Sequence, residues 1–138
     1  MSIREQNLET IAPVLATFKI SQTANVDDLK DTHIGQPVTL TGNNEAGPIG
    51  DGDIVLGKLI SLTLTDNDDG QRLATVQIGG ICRLAVTTTV PVAGDRVVGG
   101  ASGTVKKAPS GTVPEGGHIG RGIVLEVNGT IDCVIFLS

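Results

Sequence analysis

Aromatic side chains are almost missing from this chain. Among 138 residues there is no Trp and no Tyr, and the only rings besides the two histidines are Phe18 and Phe136. Carbohydrate platforms, base-stacking nucleic-acid binders and aromatic cages all depend on ring faces, so three classes of binding protein lose their usual equipment at once. Positive charge is also short. Ten Lys and Arg stand against fifteen Asp and Glu, a net charge of −5 and a pI near 4.8, so a phosphate backbone is repelled on the whole. The one local basic pair, Lys106-Lys107, reads as the solvated flank of a turn. No apolar run approaches the roughly 20 residues that span a bilayer, and MSIREQNLET lacks the uninterrupted apolar core of a secretory signal. Neither nucleic acid nor membrane is expected as a partner, and the chain reads as one made and folded in a cytosol.

Cysteine is scarce too. Cys82 and Cys133 each lie among Ile, Val and Leu, where a reduced thiol behaves as a small buried hydrophobe. No CxxC or paired His accompanies them, which leaves no metal-ligand spacing. The two histidines, His33 and His118, stand beside turn glycines with no Ser or Cys nucleophile signature nearby. Carboxylates gather in loop-like stretches (Asp27-Asp28, Asp51-Gly-Asp53, Asp66 to Asp69), where solvation explains them. DNDDG, Asp66 to Gly70, fails as a calcium loop because the third alternate ligand position falls on glycine. Catalysis needs convergent groups of matched pKa, so no enzyme, catalytic residue, metal or cofactor is expected.

What the chain has in quantity is glycine, 19 residues. GDGDIVLGKL, Gly50 to Leu59, holds Gly52 and then Gly57-Lys58 at the GxxxxGK spacing of a phosphate-binding loop. That loop needs a Ser or Thr after the Lys and a helix starting there. Here Leu59 follows, and Ile60, Leu62 and Leu64 alternate with polar residues in the two-residue rhythm of a strand. Gly57-Lys58 therefore predicts a turn entering a strand. GHIGRG, Gly117 to Gly122, opens the apolar run Ile123 to Val127 in the same way, a weak internal echo.

From Val38 onward the pattern is one of short strands and turns. RLATVQIGGICRLAV alternates with Ala74, Val76, Ile78, Cys82, Leu84 and Val86 on one side, and Gly79-Gly80 predicts a bulge, bend or close backbone approach within it. Pro91 to Asp95 predicts a turn, and two short strands follow around a Gly-rich connection, in Arg96 to Val98 and Gly103 to Ala108. Near the end, Asn128-Gly129 between two apolar runs predicts a two-residue hairpin turn with Val127 opposite Thr130. That hairpin has Ile123, Leu125, Val134 and Phe136 on one face and Val124, Ile131, Cys133 and Ile135 on the other. Both faces are apolar, so both need cover, from the rest of the module or from another subunit. Ile123, Leu125, Val134 and Phe136 are the candidate oligomer interface.

The first third differs in kind. Ile3, Leu8, Ile11, Val14, Leu15 and Phe18 are scattered among polar residues, and Pro13 breaks any long helix. Residues 15 to 21 have strand character, and residues 1 to about 20 read as an arm that orders by lying on something, with those six apolar residues as its contacts. The expected organisation is an extended arm and linker over 1–34, then an all-β module over 35–138, a small barrel or sandwich of short antiparallel strands whose core is filled by aliphatic residues.

The order Gly35-x-Pro-Val38, Gly57-Lys-Leu-Ile60, Thr75-Val-Gln-Ile-Gly-Gly-Ile-Cys-Arg-Leu84, Ala93-Gly-Asp-Arg-Val97, Gly103-Thr-Val105 and Ile119-Gly-Arg-Gly-Ile-Val-Leu125 resembles the capsid cement, or head decoration, proteins of tailed bacteriophages. The resemblance covers residues 34 to 138. It implies a β-barrel or β-sandwich added to the outer surface of an expanded icosahedral head after synthesis in the host cytoplasm. It also implies the major capsid protein as partner, self-association as a trimer at threefold or quasi-threefold positions, and stabilisation of the shell against internal pressure. The arm here is longer than that family's pattern. Two other readings fit the same composition: an accessory module of a phage tail or baseplate, and a small ligand- or glycan-binding barrel.

Overall fold

The computed structural model describes residues 13–63, 72–87, 89–109 and 120–137. In chain order its strands are β1 (Val14–Ile20), β2 (Gln22–Thr23), β3 (Val26–Asp27), β4 (Pro37–Gly42), β5 (Glu45–Pro48), β6 (Gly57–Leu62), β7 (Leu73–Ala85), β8 (Val97–Gly99), β9 (Val105–Lys107), β10 (Ile123–Asn128) and β11 (Asp132–Leu137). A single 3-10 turn, Asp31–His33, precedes β4, and no α-helix occurs among the described residues. The protein is all-β, as its alternating pattern predicts.

Five strands close a barrel. β1 pairs with β5 in parallel, β5 with β4, β4 with β6, β6 with β7, and β7 back to β1, these four antiparallel. Closure leaves no bare edge around that ring. β7 is 13 residues long, about twice an ordinary strand, because its two halves serve different sheets. Leu73 to Gly79 is a barrel stave, and Gly80 to Ala85 pairs with β11, which pairs in turn with β10. The changeover falls at Gly79-Gly80, where β7 gains a residue on β1 between Val14 and Leu15. The predicted interruption is real.

Two cores follow from this division. In the barrel, Ile20, Leu29, Val38, Ala46, Leu59, Leu62, Ala74 and Val76 pack together, with Phe18, Leu56 and Ile78 partly buried against them. Under the three-stranded sheet, Cys82, Leu84, Val86, Val124, Cys133, Ile135 and Leu137 meet Val97 and Val105 of the β8–β9 hairpin, with Ile49 and Val55. Even-numbered positions of β7 supply both cores. No fully buried aromatic contributes to either, so each core is a mosaic of aliphatic side chains worth about 1.5–3 kcal/mol apiece on burial.

The turn chemistry is local. The Asp95 carboxylate accepts from the Val92 N–H at 2.9 Å, closing the predicted Pro91–Asp95 turn. At the last hairpin the outcome differs from expectation. A two-residue turn needs positive φ at both central residues, and only Gly129 has it (+56°). Asn128 stays in the strand opposite Asp132, Val127 faces Cys133, and Gly129 to Ile131 form a three-residue loop. Ile131 is accordingly exposed and takes no part in the inner face.

The expected arm boundary at residue 34 does not hold. β1 is a barrel stave whose Ile20 is buried, and Leu29 lies in the same core, so the module begins at or before Val14. Phe18 is partly buried and packs against the barrel core of its own chain. Of the six apolar residues assigned to the arm, Val14 and Leu15 are exposed, while Ile3, Leu8 and Ile11 lie outside the described residues.

Candidate functional site

The phosphate-loop lookalike resolves first. The Gly50 N–H donates to the Asp53 carboxylate at 2.7 Å and the Gly52 N–H to the Gly99 carbonyl at 2.8 Å. Lys106 pairs with Asp51 at 2.8 Å. The amides that would cradle a phosphate are thus bonded within the fold. β6 begins at Gly57, so Gly57-Lys58 is a strand entrance, and Gly120 to Gly122 likewise leads into β10 at Ile123.

Among the described residues no other cluster of ionisable or metal-ligating side chains converges. No group of three or more His, Cys, Asp or Glu able to hold a metal occurs among the described residues. His33 uses Nδ1 to accept from the Lys30 backbone N–H at 2.9 Å, capping its own turn. His118 and the DNDDG stretch lie outside the described residues. A groove of about 680 Å3 runs past Thr39, Leu40, Asp53, Ile54, Val55 and Arg121. Its polar groups are turned inward: Thr39 donates to the Ile54 carbonyl at 2.8 Å, and the Arg121 guanidinium donates to the carbonyls of Val55 at 3.1 Å, Leu56 and Ile78. Burial lowers the Arg121 pKa below the ordinary guanidinium value, with negative charge at Cys82 acting the other way. Arg121 is a pin joining the approach to β6, the bend of β7 and the start of β10. Nothing in the sequence pattern marked it beyond the Gly-basic echo.

Cys82 and Cys133 are both buried and free, on the inner faces of adjacent strands. Their partners across the ladder are Ile135 and Leu84, which makes the two thiols diagonal neighbours. Burial pushes Cys82 up to about 11, with Lys58 and Arg121 pulling weakly downward. Burial pushes Cys133 up to about 12, reinforced by Cys82 and Asp132 and opposed by Arg83. A thiol with its folded pKa above the ordinary 9.0 holds its proton in the native state after the unfolded chain has lost it. This stabilisation is complete below pH 9 and disappears as pH rises through 11 to 12. Between pH 9.5 and 10.5 unfolding free energy should fall by about 1 kcal/mol per pH unit for each thiol. Urea titrations across that range measure the slope, and Cys133→Ala should halve it.

What remains is a surface. Ile81 of β7, Phe136 of β11 and Ile123 of β10 stand side by side in one cross-strand row. Ile123 and Phe136 are each 40% exposed, and Ile81 is half-buried. Leu125, also exposed, sits where the ladder shifts register between Val124 and Glu126. Val14 extends the band at its other end, packed against Gly79, two residues along β7 from Ile81. The next row, Arg83, Val134 and Glu126, supplies a polar rim in which Arg83 pairs with Asp132 at 2.7 Å. Val134, expected beside Phe136 at an interface, is fully buried inside the chain and is unavailable to a partner. The structure thus brings Ile123, Leu125 and Phe136 together with Val14, and adds Ile81. Ile81 could have been found from the sequence, since the alternation that buries Cys82 turns its neighbour outward.

Comparison of the chain with models of known protein families, with curated proteins and with solved structures finds no match.

Proposed function

We propose that the protein is a structural subunit that cements the outer surface of an expanded tailed-phage head. The observation that carries this reading is the apolar band of exposed Val14, Phe136, Ile123 and Leu125 around half-buried Ile81 on a closed, ring-poor β module. Contiguous exposed apolar patches rimmed by polar residues are often interaction surfaces, whereas a ligand barrel needs a concave site with converging polar groups. The resemblance of residues 34–138 to cement proteins supplies the identity of the partner, the major capsid protein. A clamp that binds only the expanded lattice stabilises it by mass action, and a trimer touching several capsomers makes weak single contacts sufficient. In this reading residues 1–12 reach the capsid protein or a neighbouring subunit, and the band lies against the adjoining subunit.

The test uses expanded, undecorated heads of the phage whose genome encodes the chain. The protein should co-sediment with heads at saturating stoichiometry, and Phe136→Asp should weaken that binding at least tenfold. Deletion of residues 2–12, which spares β1, should also weaken it. Co-purification with tails instead of heads would transfer the protein to the tail or baseplate, and binding to neither would defeat the reading.

A further inference from the structure

Asn128-Gly129 ends the last hairpin, and the same two residues carry a chemistry of their own. The backbone nitrogen of a glycine can attack the carboxamide carbon of the asparagine before it, because a residue without Cβ leaves that nitrogen unshielded. The covalent tether supplies the effective concentration. Folding decides whether the nitrogen is free to react. Residues 128 to 131 are all exposed, and a Cβ built on Gly129 would meet no atom within 4 Å. The Gly129 N–H donates no hydrogen bond among the described residues.

Elsewhere the fold disarms the same arrangement. Asp51-Gly52 offers a carboxyl in place of the carboxamide, but its Gly52 N–H donates to the Gly99 carbonyl at 2.8 Å and Asp51 pairs with Lys106 at 2.8 Å. Asn25, Asn43 and Asn44 precede Val26, Asn44 and Glu45, whose side chains stand beside the nitrogen that would attack. Among the described asparagines only Asn128 is followed by glycine. Ring formation requires Asn128 to leave its extended backbone. That breaks the 3.0 Å bond from the Ile131 N–H to the Asn128 carbonyl and the final ladder pair with Asp132. Both lie at a hairpin end, where local opening costs least.

We propose that Asn128 is a site of spontaneous deamidation, which converts the hairpin tip into a second, more acidic form of the protein. The Gly129 nitrogen gives up its proton and bonds to Asn128 Cγ. The bond from Cγ to NH2 breaks, ammonia leaves with that proton, and a five-membered succinimide remains. Water then opens the ring. Opening at Cγ gives an ordinary aspartyl linkage, and opening at the backbone carbonyl gives an isoaspartyl linkage that lengthens the main chain by one carbon. Either product adds one negative charge to the −5 of the chain. The new carboxylate stands opposite Asp132, which is already paired with Arg83 at 2.7 Å, and like charges facing across a ladder repel. The tip of the hairpin that bears Ile123 and Phe136 therefore loosens as the protein ages.

The full chain, native and in urea, is incubated at neutral and at mildly alkaline pH and followed by ion exchange and by mass spectrometry of tryptic peptides. Cleavage after Arg121 releases residues 122–138, in which Asn128 is the only amide side chain. In the native protein this peptide should acquire the mass change of NH2 to OH at least several-fold faster than Asn25, Asn43 or Asn44, and faster still at the higher pH. Isoaspartate at Asp51, located by fragmentation, should form in urea and not in the native protein. Asn128→Gln, whose ring would need an extra carbon, should abolish the acidic form that arises from this peptide and leave the thermal midpoint unchanged. Asn128→Asp should lower the midpoint, by less at high salt, where the repulsion from Asp132 is screened. A 122–138 peptide that stays unmodified in the native protein while the urea sample converts would overturn the proposal and show that the hairpin holds the amide out of reach. Conversion at Asn44 as fast as at Asn128 would overturn it too. An unaltered midpoint in Asn128→Asp at low salt would remove the loosening of the tip.

Discussion

Gly57→Ala should cost more than about 3 kcal/mol and lower the thermal midpoint by roughly 10 °C or more, the largest single effect expected for a one-methyl change in this protein. A Cβ on residue 57 would lie 2.1 Å from the Gln77 carbonyl oxygen and 3.0 Å from Val76 Cγ1. The nearest obstacle is backbone of the central strand, which cannot rotate aside as a side-chain tip would. Either β6 lifts from β7 and the barrel opens, or β7 shifts and both cores are disturbed. Lys58→Ala, one residue along, should change stability by only about 0.5 kcal/mol. That contrast, read by thermal and urea unfolding followed by circular dichroism, separates a strand entrance from a phosphate loop. A phosphate site would depend on Lys58 for ligand-linked stability, and a barrel seam depends on Gly57.

Arg121→Met should cost about 3 kcal/mol, since it keeps much of the stem's packing while leaving the carbonyls of Val55, Leu56 and Ile78 without their charged donor. Arg121→Lys should recover little, because a point charge with one nitrogen cannot reproduce a planar fork that reaches three oxygens from two nitrogens. The position of the pin predicts a second signature. Two of its acceptors lie just ahead of β6 and the third at the bend of β7, while the Arg121 backbone exchanges hydrogen bonds with Val97 at 2.9 and 3.1 Å. Without it the barrel core and the three-stranded-sheet core should lose their coupling. Cys82 and Cys133 both belong to the second core and report on it by thiol labelling, whereas circular dichroism reports on all strands. In the parent protein the two unfolding curves should coincide, and in Arg121→Met labelling should run ahead of loss of strand signal. Coincident curves in the variant would show that other contacts couple the cores.

The last hairpin shows how a sequence reading can be right about a face and wrong about a register. The expected pairing of Val127 with Thr130 slips to Val127 with Cys133, an odd displacement that by itself would exchange inner and outer faces. The register shift between Val124 and Glu126 undoes the inversion, so Ile123 and Phe136 still share the outward face and Val124 and Ile135 the inward one. Alternation marked which residues belong together. It could not reveal the bulge, which depends on how β10 must twist to follow β11.

Local pattern alone determined the all-β character of the chain, the turn at Pro91–Asp95, the existence of a last hairpin though not its turn, the interruption of β7, the inward face of that strand, and the strand entrance at Gly57. Each of these is set by a few neighbouring residues through φ preferences, side-chain alternation or a missing ligand. Tertiary structure decided the rest: that β1 is a stave of the barrel and no free arm, that Val134 is buried while Phe136 is exposed, and that Arg121 ties two cores together. Those outcomes depend on which distant strands meet, with β1 paired to residues about 60 positions away, and a short window of sequence holds no record of such partners. The apolar band belongs to both levels, its members legible as outward-facing hydrophobes and their union made only when β7, β10 and β11 lie side by side.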